Sequence, residues 1–437
     1  MTSPVIDGVI EEVWGKPVFN LTFVQTVPRE GNPVSEPTAV YFLQDSWAFY
    51  VAFDCRTPER SPDYQYGNRD SQEGDYVSLF LDCFGDGQTA YCFSVNAANI
   101  QADWIISADG QEANYSWEGV FYSNTDIDSG GYTVEIAIPW NSIRFARNSH
   151  VWGYNLRRNI PVSGEEAYCI PVKQNEGLRV SKFGRLGGIN PTLKGMGVEI
   201  YPYTFYRTEK SYGTVSSDIH LAADANWEPE SWVKLQSTFN PDFSQIEADP
   251  FALNLSKYSL YFTEKRPFFT EEAEFFKTSG GVTAQMLDLF YTRQIGEKLP
   301  DGTEVPLHAG LRLTAKRKAV AIGLFSAVTG EQPYQGYWGP ETEPEAVFTA
   351  NRIQVDVADN TTAGLMHVGK YSTGMSNHTI SLDATYNTGT FQFSNQIAQS
   401  WYGTADGRAF KSFFQYISRR LRISGSAMII GEDFNVS

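Results

Sequence analysis

From about Gly195 onward the chain alternates apolar and polar residues over long stretches. Ile219, Leu221, Ala223, Ala225 and Trp227 fall on one side of an extended strand, and Asp218, His220, Asp224 and Asn226 on the other. Glu228-Pro229-Glu230-Ser231 then turns the chain into Val233, Leu235 and Phe239, set against Lys234, Gln236 and Thr238. The dyad recurs with Ile380, Leu382, Ala384 and Tyr386 opposing Thr379, Ser381, Asp383 and Thr385. It returns with Leu421, Ile423 and Ala427 opposing Arg422, Ser424 and Ser426. Alternating segments of about ten residues joined by turns are the signature of a transmembrane β-barrel with a wet lumen; a soluble sandwich gives the same signal on shorter strands.

The front of the chain has a different texture. Tyr41-Phe42-Leu43, Ala48 to Phe53, Tyr76 to Leu81, Tyr91 to Val95 and Tyr132 to Ile138 are short β-rich runs separated by Gly, Asp, Asn and Pro clusters. This spacing predicts a β-sandwich over residues 1–190, with a turn of helix near Glu11-Glu12-Val13-Trp14. The overall expectation is all-β: an N-terminal sandwich followed, over 191–437, by part of an antiparallel transmembrane-type barrel. Between the two textures lies residues 240–276, dense in aromatics and carboxylates and neither clean strand nor clean helix. Phe262, Phe268, Phe269, Phe275 and Phe276 are too much apolar surface to leave in water, so this segment must pack against a wall.

Composition narrows the choices. The 437 residues include 24 Tyr, 29 Phe and 10 Trp, and the formal net charge is -17. Aromatic richness suits β-structure, carbohydrate surfaces and membrane-interface girdles alike. The acidic balance argues against nucleic acid as a partner, because such binding needs basic stripes to release counterions. Four cysteines make no disulfide framework and no zinc spacing, although Cys83 and Cys92 are positioned to face each other across the Gly85-Asp86-Gly87 turn. The N-terminus shows no basic n-region and no apolar h-region, and no run of about 18 apolar residues predicts a transmembrane helix. No HExxH, GxSxG or phosphate loop is present.

Ile6-Asp7-Gly8 with Trp14, Arg69-Asp70, the run Gly74-Asp75-Tyr76-Val77-Ser78-Leu79-Phe80-Leu81-Asp82, and Ala90 to Asn96 together resemble the family 9 type of carbohydrate-binding module. Gln101-Ala102-Asp103, Tyr132 to Trp140 and Trp152 to Arg158 continue the resemblance. Such a sandwich holds a sugar by stacking a pyranose face on aromatic rings while planar polar side chains hydrogen-bond its hydroxyls. The sequence departs from the family's two-aromatic plan with Gln72 at the first aromatic position and Tyr168-Cys169 near the second. Candidate sugar-binding residues are therefore Tyr168, Arg157 and Asn155, with Trp104 and Trp117 as surface aromatics in polar loop contexts. Trp14, Trp140 and Trp152 flank alternating strands and are expected in the core. Asp82, Asp86 and Asp103 either ligate a structural calcium, the one cofactor the chain suggests, or cap turns.

Asn240 to Pro250, Phe262-Thr263-Glu264-Lys265-Arg266-Pro267-Phe268-Phe269, Leu289 to Gly296, Ala363 to Met366 and Gly431 to Asn435 resemble the bacterial family called domain of unknown function 5916. That resemblance implies a family 9 module in front and an outer-membrane β-barrel behind, with an export signal and further strands beyond those present here. On this basis the chain reads as a truncated copy holding roughly ten barrel strands, its segment 240–276 a plug or a linker. Glu247, Asp249, Glu264, Lys265 and Arg266 are the candidate lumen charges. Expected partners are polysaccharide or oligosaccharide and outer-membrane lipid; the expected compartment is the outer membrane of the cell envelope.

The leading functional expectation is non-enzymatic capture or passage of glycan material. A second is association with a glycoside hydrolase of xylanase type, the module targeting it to polysaccharide. Separately, Glu247 and Glu264 are of the residue type a glycosidase acid/base pair needs, but nothing in the sequence fixes their separation, and no catalytic residue is assigned. A third is a docking domain that has lost sugar binding.

Overall fold

The computed structural model describes residues 3–17, 22–115, 117–146, 150–192, 197–211, 214–230, 232–241, 264–278, 286–317, 319–358, 360–418 and 420–436. The side chains of 207 and 209–218 also lie outside that description. Two compact units emerge. One holds Met1–Lys194 with Thr388–Phe391 and Gln415–Ile423; the other holds Gly195–Asn387, Gln392–Phe414 and Ser424–Ser437.

The first unit is a β-sandwich. Its strands are β1 (Val24–Val27), β2 (Thr38–Gln44), β3 (Ala48–Arg56), β4 (Tyr76–Asp82), β5 (Ala90–Asn96), β6 (Gln101–Ser107), β7 (Glu112–Asn114), β8 (Tyr122–Asp128), β9 (Gly131–Pro139), β10 (Val151–Ile160), β11 (Glu165–Tyr168) and β12 (Gly184–Gly187). One antiparallel sheet runs β1-β11-β10-β4-β5-β6-β7, with β12 also on β10; the other runs β2-β3-β9-β8. Alternation decides what meets between them: Phe49, Val51, Phe53, Val134, Ile136 and Ile138 of the smaller sheet face Val77, Leu79, Leu81, Phe93, Trp152 and Leu156 of the larger. Trp14, Trp140 and Trp152 are buried, as expected for core positions.

The central strands are buried on both sides. In β4 every residue is buried, because on the side away from the sandwich core Phe80 enters a second apolar cluster and Tyr76 and Ser78 are covered by Arg157. That two-sided burial separates the cysteine pair proposed across the Gly85-Asp86-Gly87 turn. Cys83 belongs to the inter-sheet core and Cys92 to the outer cluster, and all four cysteines are free. Asp82 and Asp86 act as turn caps: Asp82 accepts from the Gly85 and Gly87 amides at 2.7 and 2.9 Å, and Asp86 from Gln88 and Thr89.

Charged groups inside this unit are paired. Arg60 grips Asp75 through two hydrogen bonds of 2.6 and 2.7 Å and Glu36 through two more, while fully buried Arg158 reaches the same two carboxylates. Breaking such a set by removing one member leaves an uncompensated charge, at a cost of about 3–5 kcal/mol. Glu135 ties the N-terminal segment to the smaller sheet, accepting from the Asp7 and Gly8 amides and from Trp14 Nε1.

The second unit is one antiparallel sheet. Its strands are β13 (Val198–Ser211), β14 (Thr214–Glu230), β15 (Val233–Phe239), β16 (Leu307–Arg317), β17 (Val320–Thr329), β20 (Ala346–Ala358), β21 (Thr361–Ser372), β22 (Met375–Asn387), β23 (Phe391–Tyr402), β24 (Ala405–Ile417) and β25 (Arg422–Ile430). β18 (Gln332–Gly336) and β19 (Gly339–Glu343) form a separate hairpin. The eleven strands follow chain order from β13 to β25, and among the described residues these two end strands do not pair with each other, so no closed barrel is found.

The hidden face of this sheet is mixed: Phe325, Ala327, Phe348, Ala350, Met366 and Val368 of β17, β20 and β21 form an apolar patch on it, and polar side chains line it elsewhere. Along β22, Asn377, Thr379, Ser381, Asp383, Thr385 and Asn387 are buried, while Ile380, Leu382 and Tyr386 are 40–52% exposed. β23 repeats this with Gln392, Ser394, Gln396 and Ser400 buried and Phe393 and Ile397 exposed. Gln236 and Thr238 of β15 are buried as well, and Phe239 is exposed.

Asp45, in the turn between β2 and β3, gives a test of local wiring. Burial raises its carboxyl, but hydrogen bonds from Ser3, the Trp47 and Ala48 amides and Tyr50 outweigh that and hold it at about 2, below the ordinary 3.8. A depressed folded-state value means stability that is present above the unfolded value and lost as pH falls toward 2. In urea titrations between pH 5 and 2, wild type is expected to lose stability across pH 4 to 2 relative to Asp45→Asn. Parallel acid limbs for the two proteins would contradict the assignment.

Candidate functional site

Two arrangements of side chains stand apart from structural packing, one in each unit. The first lies on the outer side of the larger sandwich sheet. Register fixes it: Arg157 of β10 sits opposite Ser78 of β4 on one side and Tyr168 of β11 on the other, while the next row sets Asn155, Phe80, Cys92 and Trp104 side by side. The Arg157 guanidinium lies 4.9 Å from the Tyr76 ring centroid, 5.6 Å from Phe80 and 5.7 Å from Trp104. It donates to Ser78 Oγ at 3.0 and 3.2 Å and to Gln72 Oε1 at 2.7 Å, with Glu166 3.9 Å away.

Burial alone would lower the Arg157 guanidinium, yet the surrounding Tyr168, Tyr76, Glu166 and Cys92 outweigh it and hold the group above its ordinary value. Tyr168 is pushed up by burial, and its hydroxyl donates to Glu166. The result is a fixed cation in a dish of rings, edged by the planar polar groups of Gln72 and Glu166.

Three of the sequence candidates, Arg157, Tyr168 and Trp104, thus converge. Trp104 departs from expectation in one respect. It stands on β6, not in a polar loop, and only 5% of it is exposed; the ring that reaches solvent is its neighbour Tyr115, 63% exposed and tilted 34° against it at 5.8 Å. Trp117 is set apart from the cluster, packed on Tyr91 and Phe93 against the inter-sheet core. Asn155 is also structural: its amide donates to the Ile170 carbonyl, and its Oδ1 accepts from Leu156 and Ile170. Sequence reading passed over Tyr76, Ser78, Phe80, Tyr115 and Glu166, although the period of two places Tyr76, Ser78 and Phe80 on one face. Asp103, the remaining calcium candidate, accepts from Arg69 and the Gly119 amide, and no group of three His, Cys, Asp or Glu able to hold a metal occurs among the described residues.

The second arrangement covers the polar face of the long sheet. Pro267–Thr270 forms one helical turn and Ala273–Phe276 a 3-10 turn. Phe268, Phe269, Phe276 and Phe290 all gather on Phe325 of β17, with ring centroids 5.0–6.2 Å from it. Glycines make the sockets: a Cβ on Gly310 would lie 2.5 Å from Phe268, and one on Gly323 would lie 3.0 Å from Phe276. Between the aromatics, Lys234 pairs with Glu271 at 3.3 Å, Thr314 donates to Glu272 at 3.0 Å, and buried Arg312 donates to Gln236 at 2.6 and 2.9 Å. Gln396 of β23 accepts the Leu287 amide.

Of the candidate lumen charges, Glu247 and Asp249 lie outside the described residues. Glu264 and Arg266 form a two-bond pair of 2.7 and 2.8 Å, and Arg266 also donates to the Ile295 and Thr292 carbonyls while stacking 4.1 Å over Phe269. Lys265 joins the pair through its amide, which Glu264 accepts. Burial raises the Glu264 carboxyl, but Arg266 and Thr292 outweigh it and leave it below its ordinary value. Its oxygens accept from the Lys265 and Arg266 amides, the Arg266 guanidinium and the Thr292 hydroxyl, which clamps the segment's turn.

Comparison with known proteins follows the same division. A model described as carbohydrate family 9 binding domain-like matches residues 6–164, and one described as domain of unknown function (DUF5916) matches residues 196–331. The chain is 27% identical over 157 residues to exoglucanase XynX of Acetivibrio thermocellus and 26% identical over 161 residues to endo-1,4-beta-xylanase A of Thermoanaerobacterium saccharolyticum. Each match covers 36% of this chain but only 13% and 12% of the respective relative. A family 9 carbohydrate binding module from Caldicellulosiruptor kristjanssonii, solved with cellotriose, is 19% identical and covers 44% of this chain and 92% of its own, with a TM-score of 0.33.

The glycine sockets predict how the segment is held. Gly323→Ala should overpack against Phe276 at about 1–3 kcal/mol and lower the hydrogen-exchange protection of 264–278, with Phe276→Ala restoring it in the double variant. Unchanged protection in Gly323→Ala would show that the segment is not seated there.

Proposed function

We propose that this chain is a non-enzymatic, carbohydrate-binding protein of the cell envelope. On this reading the sandwich takes an oligosaccharide on the outer side of its larger sheet, and the second unit is part of an outer-membrane barrel whose hidden side is covered by residues 264–278 and 286–299. The observation that carries the sugar-binding half is the cluster of Arg157, Gln72, Glu166 and solvent-facing Tyr115 within a domain that matches the family 9 model. An exposed ring supplies the stacking face, and Gln72 and Glu166 supply in-plane donors and acceptors, the two ingredients sugar recognition requires.

The displayed aliphatic face of the long sheet supports the membrane half. Exposed Leu311, Leu324, Ile353, Leu365, Ile380, Leu382 and Ile397 form an aliphatic band. At one end of β22 and β23 stand His378 and Trp401, stacked at 5.1 Å; at the other stand Tyr386 and Phe393. From His378 to Tyr386 the strand rises about 27 Å at ~3.4 Å per residue, which a tilt brings to the ~25 Å or less of an outer-membrane apolar band between aromatic girdles. The two curated relatives are named as polysaccharide-degrading enzymes, and their matched stretch is about the length of the sandwich alone, consistent with a shared targeting module and not a shared active site.

Calorimetric titration of the full chain with cello- and xylo-oligosaccharides should detect binding, and Tyr115→Ala and Arg157→Ala should each weaken it about tenfold or more. Thermal unfolding midpoints serve as the folding control. Silence across the panel would favour a docking domain, and reducing-sugar release from xylan or cellulose would favour the hydrolase reading. For the second unit, cell fractionation should place the full chain with detergent-extracted outer membrane, and Leu382→Arg should reduce its insertion at a cost of about 2–4 kcal/mol near the midplane. Recovery of the chain in soluble extract would defeat the membrane half alone.

A further inference from the structure

The sandwich carries a second aromatic surface that the site above does not use. On the outer side of the smaller sheet, Trp47 and Tyr122 are 44% and 51% exposed, with ring centroids 5.7 Å apart and planes 37° from each other. This is the side turned away from the Arg157 cluster. Tyr122 of β8 pairs with Ala137 of β9, and Ala137 clusters with Trp14 and Tyr50 and not with the inter-sheet core.

Both rings stand on pinned backbone. The Trp47 amide donates to Asp45 Oδ1 at 2.6 Å and its carbonyl accepts the Trp140 amide at 3.0 Å, while its ring leans on Tyr50, whose hydroxyl donates to the same Asp45. Around Tyr122, the Phe121 carbonyl accepts from Gln101 Nε2 and the Ser123 carbonyl from Asn99 Nδ2, and the Ser123 hydroxyl is held by the same two side chains. The neighbours of the two rings in sequence and register, Ala48 and Ala137, are small and buried.

We infer that Trp47 and Tyr122 form a second saccharide platform, independent of the Arg157 cluster. The inference rests on the sugar-binding reading of the sandwich and extends it. Two exposed rings already fixed in place lose little side-chain freedom when a ligand settles on them, which is the condition under which aromatic stacking yields net affinity. Their canted planes suit a chain whose successive pyranose faces rotate, better than a single flat surface would. Asn124, two residues beyond Tyr122 and on the same face of β8, has its Oδ1 taken by the Thr125 amide, which leaves its N–H donors to serve sugar hydroxyls. With sites on opposite sides, one sandwich engages two glycan chains, or two stretches of one, and gains avidity without any new contact.

The test is titration of the full chain with cellotriose and xylo-oligosaccharides, reading stoichiometry, combined with Trp47→Ala, Tyr122→Ala and Arg157→Ala. Wild type should take two equivalents. Each platform variant should remove one equivalent and leave the other, and Arg157→Ala should do the reverse. Soluble xylan or cellulose derivatives should be cross-linked by wild type and not by Trp47→Ala. A single equivalent in wild type, insensitive to Trp47→Ala and Tyr122→Ala, overturns the platform and leaves the first site standing. No binding anywhere in the panel overturns both. Concentration-dependent dimerisation that Trp47→Ala abolishes, with sugar stoichiometry unchanged, assigns the rings to a second copy of the chain and overturns the saccharide reading.

Discussion

A β-strand turns successive side chains to opposite sides, so a strand that hides one kind of residue must display the other. The long sheet of this protein displays Ile, Leu, Phe and Tyr and hides Asn, Gln, Ser, Thr, Arg and Asp around an apolar patch of Phe325, Phe348, Ala350, Met366 and Val368, and its remaining features answer to that arrangement. A buried polar group costs free energy unless it is paired. Part of the covered face is accordingly wired: Arg312 to Gln236, Thr314 to Glu272, Thr385 to Ser394, Gln396 to Leu287 and Ser400 to the Asn435 amide. The Thr238, Thr379 and Ser381 hydroxyls are buried without a hydrogen-bond partner among the described residues. Displayed aliphatics in bands bounded by aromatics call in turn for a non-aqueous neighbour, which the proposed membrane setting supplies.

The sandwich solves a different problem. Its larger sheet is buried on both sides, so residues facing away from the inter-sheet core still need cover. Val180 and Phe183 supply part of it over Phe80 and Trp104, and the uncovered remainder is where Arg157 meets Tyr76, Gln72 and Glu166. The departure from a two-aromatic clamp therefore has a physical consequence. Gln72, standing where a ring is expected, accepts a hydrogen bond from Arg157 and holds the guanidinium in place, and in the proposed site this shifts recognition toward planar polar contacts, with stacking left to the peripheral Tyr115.

How much of this was legible in sequence follows from what alternation can and cannot say. Period two identified the runs that became β2, β3, β4, β5 and β9, and it assigned Thr379, Ser381, Asp383 and Thr385 to the side opposite Ile380 and Leu382. It could not decide which side would be hidden, because an inverted sheet and an ordinary one share the same dyad. Trp104 looked solvent-facing because polar residues surround it in sequence, whereas its environment is set by Cys92 and Phe80 on neighbouring strands. Tyr115 and Glu166 gave no signal of their own; only register brings them to the edge of the Arg157 dish.

Long-range pairing was hidden for the same reason, and Arg352 and Asp383 show how it is achieved. They stand on β20 and β22, two strands apart, yet are joined by hydrogen bonds of 2.7 and 2.8 Å. β21 lies between them and would ordinarily interpose a side chain. The residue at that crossing is Gly364, and a Cβ there would lie 2.6 Å from both the Arg352 guanidinium and the Asp383 carboxylate. Gly310 and Gly323 do the equivalent for Phe268 and Phe276. Glycine is ordinarily a weak strand residue, and on this face it is placed where a side chain would occupy space that a charge or a ring from elsewhere needs. An inverted sheet can be lined with polar residues by pattern alone, but it can be filled only where the lining is interrupted, and these interruptions are what let the segment 264–278 and the buried ion pair share one wall.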